Sequence, residues 1–397
     1  MGKKALINLA LVAGSFGTII AATEAASFAY INISKINTAP WFRKSVYWVT
    51  ERRVDPVSPM NLAVTEFPPR RNFDEPKHEE GSILVESLNP LERKHLPNGN
   101  TIDHIRAMKD DGSVAFEVDY TYDSDGHRVT PAVGPSEKRS HLLMLGCSFT
   151  FGSAVNDDET MPYYLARALP NARAYNWGRQ AKGPNQALED LSNERLRAKI
   201  TERDGIAIYS LIPEQIGRFV PTIRGLQTGT DRPYYEVSES GAVKRFENYA
   251  AANPFMGFGI GLAASSLFLQ ALHLDFPFFT TTGDLKSVAR ALLAAKKIYL
   301  RNFNGRFIVL LFPAFDPVPG PILLRHLDEM GIEYLDYGIL FLSEVAKRPY
   351  GADGHPTAES HQIVANQIAA DLQADTYIRP NVKPKFPYTD IRLVFNK

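Results

Sequence analysis

Between His141 and Asp375 the chain alternates short apolar runs with longer stretches of helical periodicity. The runs His141 to Leu145, Arg173 to Asn176, Ile206 to Ile212, Phe307 to Phe312 and Glu333 to Tyr337 predict strands. They are near-continuously apolar, as strands covered on both faces are. The stretches Thr160 to Leu169, Asn185 to Ile200, Val288 to Asn302, Gly320 to Met330 and Thr357 to Asp375 predict the helices between them. Five such β/α units predict an α/β fold: a five-stranded, mostly parallel sheet with helices on both faces. Ligands of such sheets collect beyond the carboxyl ends of the strands.

Upstream the rhythm is different. From Val114 to Tyr122 apolar and polar residues alternate, with Asp111-Gly112 and Asp125-Gly126 as turns, so a small β-rich segment is expected up to about Pro135. Before it, Glu51 to Gly81 mixes proline with both charge signs and reads as a linker. An insertion at 219–284 interrupts the β/α rhythm: a hairpin over Tyr234 to Phe246 turning at Ser240-Gly241, then "FMGFGIGLAASSLFLQALHL", apolar nearly all round and expected to be a buried helix, with a lid over the site or a surface that dips into the bilayer beside the anchor as the alternatives. Its glycines at 257, 259 and 261 follow no strand and lack the later glycine of a dinucleotide loop.

The N-terminus adds a membrane expectation. Lys3-Lys4 precede an uncharged run, Ala5 to Thr23, long enough to cross a hydrocarbon core of about 30 Å as a helix. The positive-inside tendency then sends everything after Glu24 to the far side, an extracytoplasmic location. A cleaved signal peptide is the rival reading, though no Ala-x-Ala site ends the run. The expected organisation is an anchor or signal helix at 1–30, linker and β-rich segment at 31–135, an α/β domain at 136–378 containing the insertion, and a tail at 379–397. Forty-four basic residues balance forty-four acidic ones, which argues against a nucleic-acid partner. A single cysteine excludes an internal disulfide, and no Cys/His array has zinc spacing, so neither metal nor cofactor is expected.

Two stretches carry chemistry. "LGCSFTFG" (Leu145 to Gly152) ends the first strand of the α/β domain and offers Cys147 or Ser148 as a nucleophile on a tight strand-to-helix turn. "GADGHPTAESH" (Gly351 to His361) sets Asp353 two positions before His355, ahead of a helix that Thr357 would cap. A carboxylate so placed can hold one ring nitrogen and leave the other as a base for a hydroxyl. His361 as a metal ligand, and Asp157-Asp158-Glu159 as a calcium loop, fit less well than a solvated side chain and a charged cap of the next helix.

The stretch "GCSFTFG", with "VNDDETMP" after it, resembles the first block of the SGNH, or GDSL-type, hydrolase superfamily, and "ADGHPTAESH" is similar to its last block. The resemblance runs from about His141 to Leu372 outside the insertion. It implies a three-layer, flavodoxin-like α/β/α sandwich, with Ser148 as nucleophile, His355 as base and Asp353 as the orienting carboxylate. "YNWGRQAKG" resembles the second block, with Ala181 in place of its glycine, so the oxyanion donors implied are the backbone N–H groups of Ser148 and Ala181. The third block's Gly-x-Asn-Asp is replaced by "SLIPEQIGR", in which Gln215 is expected to offer the equivalent N–H to the oxyanion if it sits one residue along, and Cys147 stands where the family has aspartate. Cys147 then reads as a small packing residue. The implied activity is hydrolysis of an O-acyl ester, on a small molecule or an extracytoplasmic glycan. The alternatives are an O-acyltransferase with the same triad and a weakly active glycan-binding protein.

Overall fold

The computed structural model describes residues 83–84, 90–109, 111–220, 233–239, 242–266, 281–313, 319–338, 340–342 and 349–374. The expected anchor at 1–30, the linker Glu51 to Gly81, the hairpin tip Ser240-Gly241 and the tail at 379–397 lie outside them.

All five expected core strands form: β5 (Ser140–Gly146), β6 (Ala172–Gly178), β7 (Asp204–Leu211), β10 (Asn304–Leu311) and β11 (Glu333–Asp336). They pair in the order β11-β10-β7-β5-β6, every pair parallel. Their continuous apolar character has a direct structural reason, because successive side chains feed two cores. On one face Leu143, Leu145, Ala207, Tyr209, Leu211, Phe307, Val309 and Leu311 are buried together. On the other, Leu142, Met144, Ile208, Ile308 and Leu310 are.

Helices α3 (Pro184–Ser192), α4 (Glu194–Arg197), α8 (Thr282–Asn302) and α9 (Pro319–Glu329) cover the first face; α2 (Met161–Ala168) and α10 (Ala358–Ala374) cover the second. The result is the three-layer α/β/α sandwich expected, completed by the short helices α1 (Ser148–Phe151), α5 (Glu214–Phe219), α6 (Tyr249–Ala252) and α7 (Pro254–Ser265).

Three sequence expectations are corrected. The helix expected over Asn185 to Ile200 is two, because Asn193 leaves helical geometry and its Oδ1 accepts the N–H groups of Arg195 and Leu196 as a new cap. Helix α8 starts ahead of Val288, at a capping box in which Thr281 and Asp284 satisfy each other's backbone N–H groups. The apolar helix of the insertion, α7, is not buried: Ile260 is enclosed, but Phe255, Met256, Phe258 and Leu262 are exposed. The hairpin before it forms as β8 (Tyr234–Val237) and β9 (Val243–Phe246).

The β-rich segment is an antiparallel sheet in which β3 (Thr101–Lys109) pairs with β4 (Val114–Tyr122) along one edge. Along its other edge β3 pairs with β1 (Ile83–Leu84) and β2 (Glu92–His95). One residue joins this sheet to the parallel one. Arg128 forms a bridge to Tyr122 on β4 and another to Asn176 on β6, closing the outer edge of β6 at that point.

Candidate functional site

Strand β5 ends at Gly146, whose φ of +150° lets the chain leave the sheet sharply. A Cβ there would lie 2.3 Å from Thr150 Oγ1 and 2.8 Å from Ser210 O. Cys147, in extended geometry, is the N-cap of the one-turn helix α1, which opens with Ser148. The Cys147 thiol is sealed in the core, whereas Ser148 keeps 7% exposure at the carboxyl edge of the sheet. Cys147 is therefore the packing residue that its place before the elbow implies. The N–H groups of Thr150 and Phe151 bond to Cys147 O, while those of Ser148 and Phe149, at the start of the turn, find no such backbone acceptor among the described residues.

Asp353 and His355 lie in a tight loop closed by Gly351 N–H to His355 O (2.8 Å) and Gly354 N–H to Gly351 O (3.0 Å), with Gly354 in the left-handed region. One oxygen of Asp353 accepts the His355 backbone N–H at 3.0 Å and the other meets Nδ1 at 2.8 Å. A carboxylate accepts, so Nδ1 donates, and the neutral ring in this orientation has its lone pair on Nε2. Thr357 Oγ1 accepts from Ser360 N–H and caps α10, fixing the loop from behind. The two stretches meet at Phe149: its ring centroid is 5.7 Å from that of His355 and 5.2 Å from that of Phe312. The residue next to Ser148 thus touches the imidazole.

Ala181 sits at φ +55°, one of only two non-glycine residues at positive φ among the described residues. It is the third residue of a turn closed by Lys182 N–H to Arg179 O, a position where left-handed backbone favours glycine. The resemblance's glycine position therefore keeps a glycine conformation with alanine in it. This loop is tied to the elbow in three ways: Arg179 N–H to Gly146 O (3.1 Å), Gln180 Nε2 to Ser153 Oγ (3.1 Å), and Asn176 Nδ2 to Phe151 O (3.1 Å). Gly178 allows the contact, since a Cβ there would lie 2.3 Å from Phe151 N. Gln215 is fully buried and donates through Nε2 to Ser210 O at 3.2 Å, and its Oε1 has no partner among the described residues. Its side-chain amide is turned onto the end of β7.

Neighbouring residues His127 and Arg128 hold these two loops, and sequence reasoning missed both. The Arg128 side chain is wholly buried. It donates to Asp157 (2.8 Å), Phe151 O (3.0 Å), Val155 O (2.7 Å) and Gly152 O, and lies over the rings of Tyr120 and Phe151. Asp157 is thus a partner of Arg128 and of Thr121 N–H, while Thr160, not the acidic cluster, caps α2. Glu159 caps its own turn with Asn156.

His127 stacks on Trp177, and its Nε2 lies 3.0 Å from Arg179 Nη2. Arginine only donates, so Nε2 accepts. Burial first, then the nearby Arg179 charge, lowers the His127 pKa to about 3 and keeps the ring neutral. Arg179 also reaches Asp190 at 3.3 Å, whose own pKa burial raises. No local pattern announces any of this, because Arg128 and Asp157 are distant in sequence and follow unrelated turns. His361 is fully buried in α10 with neither ring nitrogen partnered among the described residues, and burial followed by the Arg128 charge lowers it to about 3. No group of His, Cys, Asp and Glu with metal-binding geometry occurs among the described residues.

No protein-family model matches the chain, and no curated protein does. Solved structures do. An alpha/beta hydrolase enzyme from the metagenome of Lake Arreo, 14% identical, covers 59% of this chain and 95% of its own with a TM-score of 0.35. A member of the lipolytic protein G-D-S-L family from Veillonella parvula, 10% identical, covers 59% and 97% with a TM-score of 0.33. A family two carbohydrate esterase from Clostridium thermocellum, solved with cellohexaose, is 12% identical over 64% and 69% with a TM-score of 0.34. Likeness at this level carries no argument about activity, so the chemistry rests on the residues of the site itself.

Proposed function

We propose that the protein is a serine ester hydrolase of the SGNH type. The observation that carries this reading is the Asp353–His355 pair, with Nδ1 held at 2.8 Å and Nε2 left as a base beside the elbow that bears Ser148. In the proposed reaction Ser148 Oγ attacks the acyl carbonyl and its proton passes to His355 Nε2, while Asp353 stabilises the imidazolium. The backbone N–H groups of Ser148 and Ala181 receive the oxyanion, and the leaving alcohol takes the proton from His355. Water then enters by the same base and releases the acid from the acyl-enzyme. None of these steps needs a metal or cofactor.

The Ala5 to Thr23 run supports attachment to a membrane with this domain on the extracytoplasmic side, and an O-acylated glycan is the substrate class that such a location favours. If an acceptor alcohol replaces water in the second step, the same groups give an O-acyltransferase. One observation favours a second reading, a glycan-binding protein with weak activity: the asparagine of the third block is absent, and Gln215 commits one of its two amide hydrogens to Ser210 O. Loss of one donor costs on the order of 10²–10³ in rate.

Treatment of the full chain with a fluorophosphonate probe tests the proposal. Labelling is expected on Ser148, abolished by Ser148→Ala and retained by Cys147→Ala. A native chain that takes up no probe would defeat it.

A further inference from the structure

Helix α7 carries its apolar side chains outward. At 100° per residue, Phe255, Phe258 and Leu262 fall within one sixth of a turn of each other, at the spacing i, i+3, i+7. They are 95%, 69% and 58% exposed, while Ile260, on the opposite side, is fully enclosed. Soluble helices place such a stripe against the protein. The neighbour on which α7 closes is α6, where Gly257 lets the backbones approach so tightly that a Cβ would lie 2.8 Å from Ala250 Cα. A stripe of two phenylalanines and a leucine turned to the outside marks an interaction surface.

The chain itself indicates what covers it. No Asp, Glu, Lys or Arg occurs from Tyr249 to Leu274, and a second uncharged run, Ala5 to Thr23, has the length of a bilayer crossing. A domain tethered through that run meets the membrane surface at high effective concentration. Outward-turned phenylalanine and leucine side chains such as these enter the headgroup boundary of a bilayer with no shape-matched partner required. The insertion that carries α7 leaves the sheet from the carboxyl end of β7 through α5 and returns at the start of α8. That is the edge where Ser148 and His355 stand.

We propose that the Phe255–Phe258–Leu262 face of α7 inserts into the interface of a lipid bilayer, setting the carboxyl edge of the sheet toward the membrane. This rests on the ester-hydrolase reading for its consequence, that the acyl ester is taken at a membrane surface, but the insertion itself is independent of catalysis.

The test uses the full chain in vesicles of phosphatidylcholine and phosphatidylglycerol. The only native cysteine, Cys147, is sealed in the core, so an added surface cysteine is the single accessible thiol. Phe258→Cys and, as control, Leu91→Cys on the β-rich segment are labelled with an environment-sensitive fluorophore. Insertion predicts blue-shifted emission at 258 that doxyl-labelled lipids reduce by about half or more, as a helix 5–10 Å into the interface requires, with emission at 91 unchanged. Water-like emission at 258 overturns the proposal. So does a blue shift that spin-labelled lipid leaves unquenched, which would mean a protein surface, either a second copy or a lid. Fluorophosphonate labelling of Ser148 in the same samples separates failure of membrane contact from failure of the proposed chemistry.

Discussion

Replacing Arg128 with methionine tests how the site is held. The guanidinium is completely enclosed, pairs with Asp157 at 2.8 Å and satisfies the carbonyls of Phe151, Gly152 and Val155. Methionine matches the stem but takes from the half-buried Asp157 carboxylate its charged partner, leaving it only the Thr121 N–H, and strips the Arg128 donors from the carbonyls of Gly152 and Val155, while Phe151 O keeps Asn176 Nδ2. Removing one partner of a buried pair costs about 3–5 kcal/mol, mostly from the charge left behind. For a domain of this size, each kcal/mol moves the melting temperature by roughly 2–4 °C, so Arg128→Met should melt roughly 6–20 °C below the parent.

The cause can be separated from lost packing. Asp157→Asn in the Arg128→Met background removes the stranded charge and should recover about 1–3 kcal/mol, giving a strongly non-additive cycle in thermal or urea denaturation. Because three of the acceptors lie in the segment just after Ser148, probe labelling of Ser148 should slow in Arg128→Met even at temperatures where the variant is folded. A fall of less than about 2 °C, or an additive cycle, would refute the view that this arginine braces the elbow.

Gly178→Ala would force a Cβ to within 2.3 Å of Phe151 N and 2.7 Å of Thr150 C, both backbone, so the elbow must shift. Labelling of Ser148 should be lost with the fold intact by circular dichroism. Ala181→Gly relieves the left-handed cost of alanine and should leave stability unchanged or raise it by up to about 1 kcal/mol in urea titration; a loss would mean that φ +55° is not strained. Acid should weaken the fold through His127 and His361. Both have folded pKa values of about 3, below the ordinary value near 6.5, so the unfolded chain protonates first as pH falls. Stability is then full above about pH 6.5 and declines toward pH 3 by about 1.4 kcal/mol per unit for each ring. His361→Phe should visibly flatten that slope in urea midpoints measured from pH 7 to 4; an unaltered slope would rule out the assignment.

The parallel sheet was legible because its strands carry two cores each: Leu142 to Leu145 must be apolar at every position, and the run is too short for a buried helix. The elbow and the Asp-x-His loop were legible for a local reason, since glycines at 146 and 354 and the Thr357 cap are written into consecutive residues. What escaped the sequence is non-local. Arg128 reaches a carboxylate and three carbonyls beyond its own segment, and His127 finds Arg179 on another loop, with no periodicity to link them. Helix α7 was misread because an uncharged stretch signals burial in something, and the sequence does not say whether that is protein.

The bridge at Arg128 has one more effect. Parallel sheets that end in bare strands invite the same strand of another molecule to add on, the first step of runaway association. Here one flank of the sheet is interrupted at Asn176 by the chain's own Arg128, and the other finishes in β11, only four residues long. Each flank of the parallel sheet therefore offers a second copy only a short run of continuous edge on which to add a strand.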